Sequence, residues 1–432
     1  MSRLSPLVFW LLGSAALSSG IAAQEAAYGP VLAPDEPGAA LAAPPGIPPR
    51  LAEAAEEALE TYPSLKAAST QIRATQYDIA AAKWLRFPSV SAELVTRADR
   101  ITPEVEVVQP IWTGGRIKAG IDRAKALRGV ADAALSETVF DVLLRVSASY
   151  YEVVRAERLR EIYTDSLTEH RRLVASMERR VEQEVSPRTD LELASARAAQ
   201  VEQQLSIVVA QRAAALERLR QLVGQPDFDI GALPQYSPDQ HHPSPDGVLD
   251  LAQQCDPTIA RLNAQVVAAE AESRTARASL YPQLGIKYSY DRFSGSGLGV
   301  VAQAQTGGGL SPLAAAQAAT ARRETAEFQV TVAEREAREK VSLDLVENQA
   351  AKARFASTSV AAASTLNVTN SFLRQFVAGR RTWLDLMNAV REAVEARVAL
   401  VEVENSAMAS AARLRLRTCQ WLPVPRASDA LS

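Results

Sequence analysis

The chain contains its own layout twice. Pro63, Pro88 and Gly114 recur 194 residues later as Pro257, Pro282 and Gly308. The pair Arg188-Thr189 recurs as Arg381-Thr382, and Ala196 as Ala389, at an offset of 193. A register that slips once over such a length makes the two halves copies of one design, and a repeat of this kind governs every later assignment. The duplicated frame is rich in Ala and Glu and mostly helical in pattern, which points to a pseudo-symmetric scaffold more than to a catalytic domain.

The N-terminus has the form of a processing signal. Arg3 supplies positive charge, Pro6 to Leu17 an apolar core, and Ile21-Ala22-Ala23 a small-residue cleavage site, so residues 1–23 read as a signal peptide and residues 24–50 as a Pro/Ala-rich linker. The first cysteine is Cys255, which leaves no cysteine at the cleavage site to carry a lipid. No later stretch reaches the roughly 18 apolar residues of a spanning helix. An exported chain of this kind that enters a membrane must therefore do so with β-strands. A net charge of −3 gives no sign of nucleic-acid binding. Cys255 and Cys419 in an oxidising compartment either pair or remain two buried thiols.

Helical pattern runs from Leu51 to about Leu85 and stops before Pro88. A period of two then takes over: Val90, Ala92 and Leu94 alternate with Ser89, Ser91 and Glu93. After a turn expected at Thr102-Pro103, Val105 and Val107 alternate with Glu104 and Glu106. Gly114-Gly115 leads into a proline-free stretch from about Arg116 to Glu184, a rod of roughly 100 Å at 1.5 Å per residue. So long a helix needs coiled-coil partners. A turn at Val185-Ser186-Pro187 precedes a helix from about Arg188 to Val223, closed by Gly224. The second copy reads as helices about 249–280, 310–377 and 381–421. In each copy two short helices together match the long one, so they stack end to end along it. This gives a first repeat over 51–224 with strands about 88–111, an equatorial linker over 225–247, a second repeat over 248–422 with strands about 282–306, and a tail over 423–432.

The second hairpin alternates more clearly. Leu284, Ile286, Tyr288 and Tyr290 oppose Gly285, Lys287, Ser289 and Asp291. A turn is expected at Ser294-Gly295-Ser296-Gly297, and Leu298, Val300, Ala302 and Ala304 return opposite Gln303 and Gln305. One apolar and one polar face suit a membrane barrel, and a soluble sandwich equally. Four strands cannot close around a lumen, so a barrel would need further copies of the chain.

Several ordered motifs carry a resemblance over essentially the whole mature chain. They are Glu57-Ala58-Leu59 with Tyr62-Pro63-Ser64-Leu65, then Phe87-Pro88-Ser89-Val90 and Tyr281-Pro282-Gln283-Leu284 at the helix-to-strand junctions. Val108-Gln109-Pro110-Ile111-Trp112-Thr113-Gly114-Gly115 follows at a strand-to-helix junction, and Phe376 to Leu386 at a tip turn. In these the chain resembles the TolC-like outer membrane efflux family. The resemblance implies a predominantly α, α+β fold of duplicated helix–β-hairpin–long helix–helix repeats. It also implies a homotrimer with a twelve-stranded barrel in outer-membrane lipid and a helical tunnel across the periplasm. The partners implied are a periplasmic adaptor and an inner-membrane ABC or RND-type pump. The function implied is export, by type I protein secretion or small-molecule efflux. The tip sequence looks closer to members that export proteins in one step, with small-molecule efflux the main rival. An exported trimeric coiled-coil surface protein without transport activity is the alternative.

The resemblance also assigns a periplasmic gate. Asp385 falls on a constriction aspartate, Arg381 on an arginine that holds neighbouring tip helices, and Glu192 on its acidic partner, with Asp190 as a nearby substitute. Phe376 sits where a gate tyrosine is common and lacks its hydroxyl. Asn388 sits where some members carry a second aspartate ring. An ordinary ion pair four residues apart on an exposed helix is the other reading of Arg381 and Asp385. Nothing reads as an enzyme, and no cofactor is implied. His170, His241 and His242 lack metal-ligand spacing and are expected to be exposed polar residues. Gly295 to Gly299 is expected to be an outward-facing loop, since strand pattern rather than a helix follows it. Only four methionines argue against a Met-lined copper path.

The alternation makes a direct prediction. Single cysteines at Ile286, Tyr288 and Val300 should react with lipophilic probes, and those at Lys287 and Gln303 with water-soluble ones. Lysine at a lipid-facing mid-membrane position should cost about 2–4 kcal/mol. The reverse labelling pattern would mean that the strands are read one residue out of register.

Overall fold

A computed structural model of the protein describes residues 44–97, 100–244, 246–291, 295–304 and 309–422. These belong to one compact unit. The expected signal peptide, most of the N-terminal linker, Gly307, Gly308 and the tail over 423–432 lie outside the described residues.

The chain runs α1 (Pro49–Thr61), α2 (Pro63–Trp84), β1 (Ser89–Arg97), β2 (Arg100–Trp112), α3 (Arg116–Glu182) and α4 (Arg188–Val223). It then repeats as α5 (Val248–Cys255), α6 (Pro257–Ala278), β3 (Gln283–Asp291), β4 (Gly295–Gln303), α7 (Ser311–Val377) and α8 (Trp383–Arg417). The opening helix expected in each copy is in fact two. Tyr62 and Asp256 leave the helical region, at ψ 124° and 115°. Each precedes a proline, whose ring disfavours the α conformation in the residue before it. Asp256 then caps the new helix, accepting from Thr258 N–H at 2.8 Å.

The long helices α3 and α7 each have 67 residues, starting and ending 195 positions apart. The later offset is therefore 195 and not 193, and Gly309 (φ +77°) rather than Gly308 matches Gly114 (φ +61°). At Gly114 a left-handed backbone meets a close approach, because a Cβ there would lie 2.4 Å from that of Tyr281. Only glycine fits.

Helices α1, α2 and α4 pack on α3, α3 packs on α6 and α8, and α5, α6 and α8 pack on α7. The layer thus alternates a stacked pair with a rod, twice. Its seams are largely alanine: Ala319, Ala326 and Ala333, seven residues apart on α7, are all buried. That is the heptad spacing of helices packed side by side over many turns.

The sheet is an antiparallel meander β1-β2-β3-β4. Its register places Val90, Ala92, Leu94, Val105, Val107, Ile286, Tyr288, Leu298 and Val300 on one face. Ser91, Glu93, Glu104, Glu106, Lys287 and Ser289 share the other, where Lys287 Nζ lies 2.7 Å from Glu106 Oε2. Both expected turns are misplaced. Thr102 and Pro103 pair with Val95 and Leu94 inside the β1–β2 ladder. Pro103 lacks an N–H, and among the described residues the β2–β3 ladder reaches only Glu104 opposite Asp291, so no described β3 residue asks Pro103 for one. Gly295, Ser296, Gly297, Leu298 and Gly299 form strand β4, not a turn or an outward loop, and continue the ladder from Asp291↔Gly295.

The largest core sits at the middle of the rods. Leu51, Ala58, Leu143, Tyr150, Tyr151, Leu219, Phe228, Met408, Leu416 and Trp421 bring together α1, α3, α4, α8 and the linker between the repeats. That linker is held by its carbonyls. Arg50 donates to Asp229 O (2.6 Å), Arg220 to Phe228 O (3.0 Å), Arg158 to Pro234 O, and Arg415 to Gln240 O (2.5 Å). These arginines come from α1, α4, α3 and α8 in turn. From α7, Asn348 donates to His241 O at 2.9 Å and to Ser410 Oγ at 3.0 Å. Its carbonyl oxygen faces His242 Nδ1 at 2.8 Å, and His242 Nε2 lies 2.6 Å from the Tyr236 hydroxyl.

The histidines are therefore not the exposed residues expected. His241 is 2% exposed and His170 is 5%. Irregular backbone laid across a helical core needs side-chain partners, and neutral imidazole can both donate and accept. Burial, with Arg415 and His242 nearby, holds the His241 imidazole below its ordinary value against the opposing carbonyls of Ser237 and Gly46. A base that stays neutral longer when folded is protonated first in the unfolded chain. Its contribution should be intact above about pH 6.5 and shrink as pH falls from there toward the lower folded value. Urea midpoints measured from pH 7.5 to 5 should decline, and His241→Gln should flatten that decline.

Candidate functional site at the helical tip

The two helix-to-helix turns form the end of the rods farthest from the sheet, and they are built alike. α3 and α7 close with left-handed residues, Glu184 (φ +53°) and Gly379 (φ +71°). Val185 N–H then bonds Arg180 O at 2.9 Å, and Arg380 N–H bonds Gln375 O at 2.8 Å. This is the Schellman ending of a helix, and the outgoing helices follow from Pro187 and Thr382 as N-caps. The third residues of α4 and α8 are Asp190 and Asp385. Asp190 is thus the internal counterpart of Asp385. The Arg188-Thr189 and Arg381-Thr382 identities do not occupy equivalent places, since Thr382 caps its helix and Thr189 lies inside one.

Asp385 and Asp190 differ in how firmly they are held. Thr382 Oγ1 accepts from Asp385 N–H at 3.2 Å, and the Asp385 carboxylate accepts from Thr382 N–H at 3.4 Å. This reciprocal capping box fixes the carboxylate at the positive end of α8. Pro187 has no N–H, so Asp190 has no such tie. Carboxylates at these places in the sequence after a turn are the signal that could have paired Asp190 with Asp385 directly.

Arg381 lies over the ring of Phe372 at 4.3 Å and donates to Gln375 Oε1 at 3.2 Å. Its ion pair with Asp385 is long, 3.9 Å, with both side chains about two-fifths exposed (41% and 42%). A pair so exposed contributes little to stability. Among the described residues no ion pair joins Arg381 to Glu192 or Asp190; within one chain it is stapled to α7 instead. Glu192 and Asn388 are exposed, and Asn388 follows Asp385 by three residues on the same stripe of α8.

Phe376 is placed differently from the rest. It is 6% exposed and packs against Trp383 with ring centres 5.4 Å apart, while Arg180 covers its face at 4.7 Å. Leu173, Met177, Ala194, Leu386, Met387 and Val390 complete this core, which joins both turns. Phe376 is therefore an anchor of the tip and lines no open surface of the chain. An aromatic ring without a hydroxyl brings no polar atom into this core.

Far from the tip, Cys255 and Cys419 are joined, with Cα atoms 6.0 Å apart. Among the described residues no cluster of His, Cys, Asp or Glu could hold a metal ion, and no helix is long and apolar enough to cross a membrane.

A family model described as outer membrane efflux protein matches residues 54–225, the first repeat. Among solved structures the chain is similar to the outer-membrane channel OprN, at 18% identity over 86% of this chain and 90% of that one, with a TM-score of 0.76. VceC, an outer membrane protein of Vibrio cholerae, is 20% identical over 85% and 95%, with a TM-score of 0.72. The MtrE outer membrane channel of Neisseria gonorrhoeae, solved in an open state, is 16% identical over 88% and 91%, with a TM-score of 0.71. At these identities the shared property is the fold. A comparison with curated proteins finds no match.

Proposed function

We propose that this chain, with its first repeat matching the outer membrane efflux proteins and its fold that of solved outer-membrane channels, is itself an outer-membrane channel-tunnel. It exports substrates across the periplasm and outer membrane, and its tip meets a periplasmic adaptor and an inner-membrane pump. The observation that carries this reading is that both layers stop unfinished. Among the described residues the sheet ends on two edge strands, β1 and β4, each paired on one side only. The helical layer ends on the α2 and α4 pair at one flank and on α7 at the other.

Phe328, Val332, Leu343, Val346 and Val360 form an apolar stripe along α7, 54% to 72% exposed. Tyr77, Ile207 and Val209 are exposed on α2 and α4. A further copy laid against each flank would bury both sets and pair β4 with the next β1, which removes the sheet edges. Three copies give the twelve strands of the family's barrel. The apolar face of the sheet would then meet lipid, and the face with Glu106 and Lys287 would line the lumen. A ring of three Asp385 carboxylates near the axis would favour cations.

Outer-membrane detergent extracts should contain a heat-sensitive trimer; a soluble periplasmic monomer would remove the proposal. In single-channel recordings Asp385→Ala should lower cation selectivity and Asn388→Asp should raise it by adding a second ring. Arg381→Ser should free the α7–α8 tip and raise conductance, and cells carrying it should admit vancomycin. If all three leave conductance and selectivity unchanged, the tip residues are a solvated helix face and the constriction lies elsewhere.

A further inference from the structure

Each repeat closes on a joint where the end of its last helix meets the end of its first. In the first repeat, the Thr61 hydroxyl at the end of α1 lies 2.8 Å from Val223 O and 2.8 Å from Glu57 O of its own helix, and Gly224 follows in a left-handed turn (φ +78°). A Cβ at Gly224 would lie 2.9 Å from Thr61 Oγ1 and 3.1 Å from its Cβ. In the second repeat the same two places hold Cys255, the last residue of α5, and Cys419, also left-handed (φ +55°). The correspondence is set on one side by the prolines at the helix breaks, Pro63 and Pro257. On the other it is set by the left-handed residue that ends the closing helix. A disulfide therefore stands where the first copy uses a hydroxyl-to-carbonyl hydrogen bond and a glycine.

The surroundings decide what the bond does. Helix α8 is docked without it: Leu414 and Leu416 are buried, and Arg413 and Arg417 both pair with Asp344 of α7 at 2.7 and 2.8 Å. Helix α5 has eight residues and rests on Val248 and Ala252 packed with Val341 and Leu414. Both cysteines are half-buried, so a small dithiol can reach them. A thiol is a weak donor, and Cys419 Sγ is 3.7 Å from Cys255 O. The reduced joint would thus have only a weak thiol donor where its counterpart has a hydroxyl, while keeping a non-glycine residue in a left-handed turn.

We propose that Cys255–Cys419 is a redox clasp on the second joint: oxidised, it locks α5 to the end of α8; reduced, it releases α5 and the turn after α8 while α8 stays docked. Closing it takes two protons and two electrons from the thiols, accepted by a disulfide-bearing oxidant that becomes a dithiol. Opening it is the reverse exchange with a dithiol, through a mixed disulfide. The proposal concerns a joint within one chain and stands apart from the channel reading.

Hydrogen exchange on the full-length protein in detergent, before and after dithiothreitol at constant pH, tests it. Reduction should speed exchange by about ten-fold or more over 248–256 and 415–422, and leave the first joint, 57–62 and 220–225, unchanged. The double variant C255T/C419G, which writes the first joint into the second, should keep the protection of the oxidised protein and ignore dithiothreitol. Unchanged exchange on reduction would make the bond passive and overturn the proposal. So would acceleration throughout the chain, or a double variant as labile as the reduced protein. If the variant does not fold, the comparison on the unaltered chain decides alone.

Discussion

A helix of 67 residues cannot bury its own apolar stripe, and the rest of the structure answers that constraint. Each long helix needs a partner along roughly 100 Å of length. The chain supplies it in two pieces, one before the hairpin and one after the tip. Small alanine side chains along the seams let the helices lie close over that distance. Burial is thin there, so the strong cores gather where pieces meet: at the tip, around Phe376 and Trp383, and at mid-length, around Tyr150, Tyr151 and Leu416.

Because the partners come in pieces, the mid-length joint is where the layer would otherwise part. It is closed three ways. Apolar side chains from α1, α3, α4 and α8 fill it, arginines from the same four helices hold the linker's carbonyls, and each copy adds its own clasp. The linker has no ladder of its own, so every buried carbonyl it carries must find a donor elsewhere. Arginine reaches far and stays charged, and His241 and Asn348 serve the carbonyls of Ser237 and His241.

The two copies are most alike in their backbone and least alike in what sits on it. Both tips close through the same left-handed turn, yet Thr382 caps one helix and Pro187 the other. One aspartate is oriented by a capping box and its counterpart has no such box. One joint is closed by a hydroxyl and the other by sulfur. After duplication the shared geometry is preserved by packing along the rods, whereas turn residues answer only to their own neighbours and can diverge. Function in a pseudo-symmetric body is to be sought at such differences.

The sequence by itself determined the duplication, the rods, both hairpins and the tip turns, because each is written in local signals. Period 3.6 gives way to period 2 at Pro88 and Pro282, and Gly224 ends α4 where a left-handed residue is needed. The helix breaks at Tyr62 and Asp256 were not read, although a proline follows each. What only the tertiary structure decided is what depends on residues far apart in the chain. That includes the strand turns, where ladder pairing outweighed Thr102-Pro103 and the Gly295 to Gly297 run, and the burial of His241 within a linker no periodicity describes. It includes the true counterpart of Asp385, which insertions of single residues had hidden, and the inward place of Phe376. A side chain's periodicity reports which way it points along its own element; what it meets there is set by another element, and that is settled only when the elements pack.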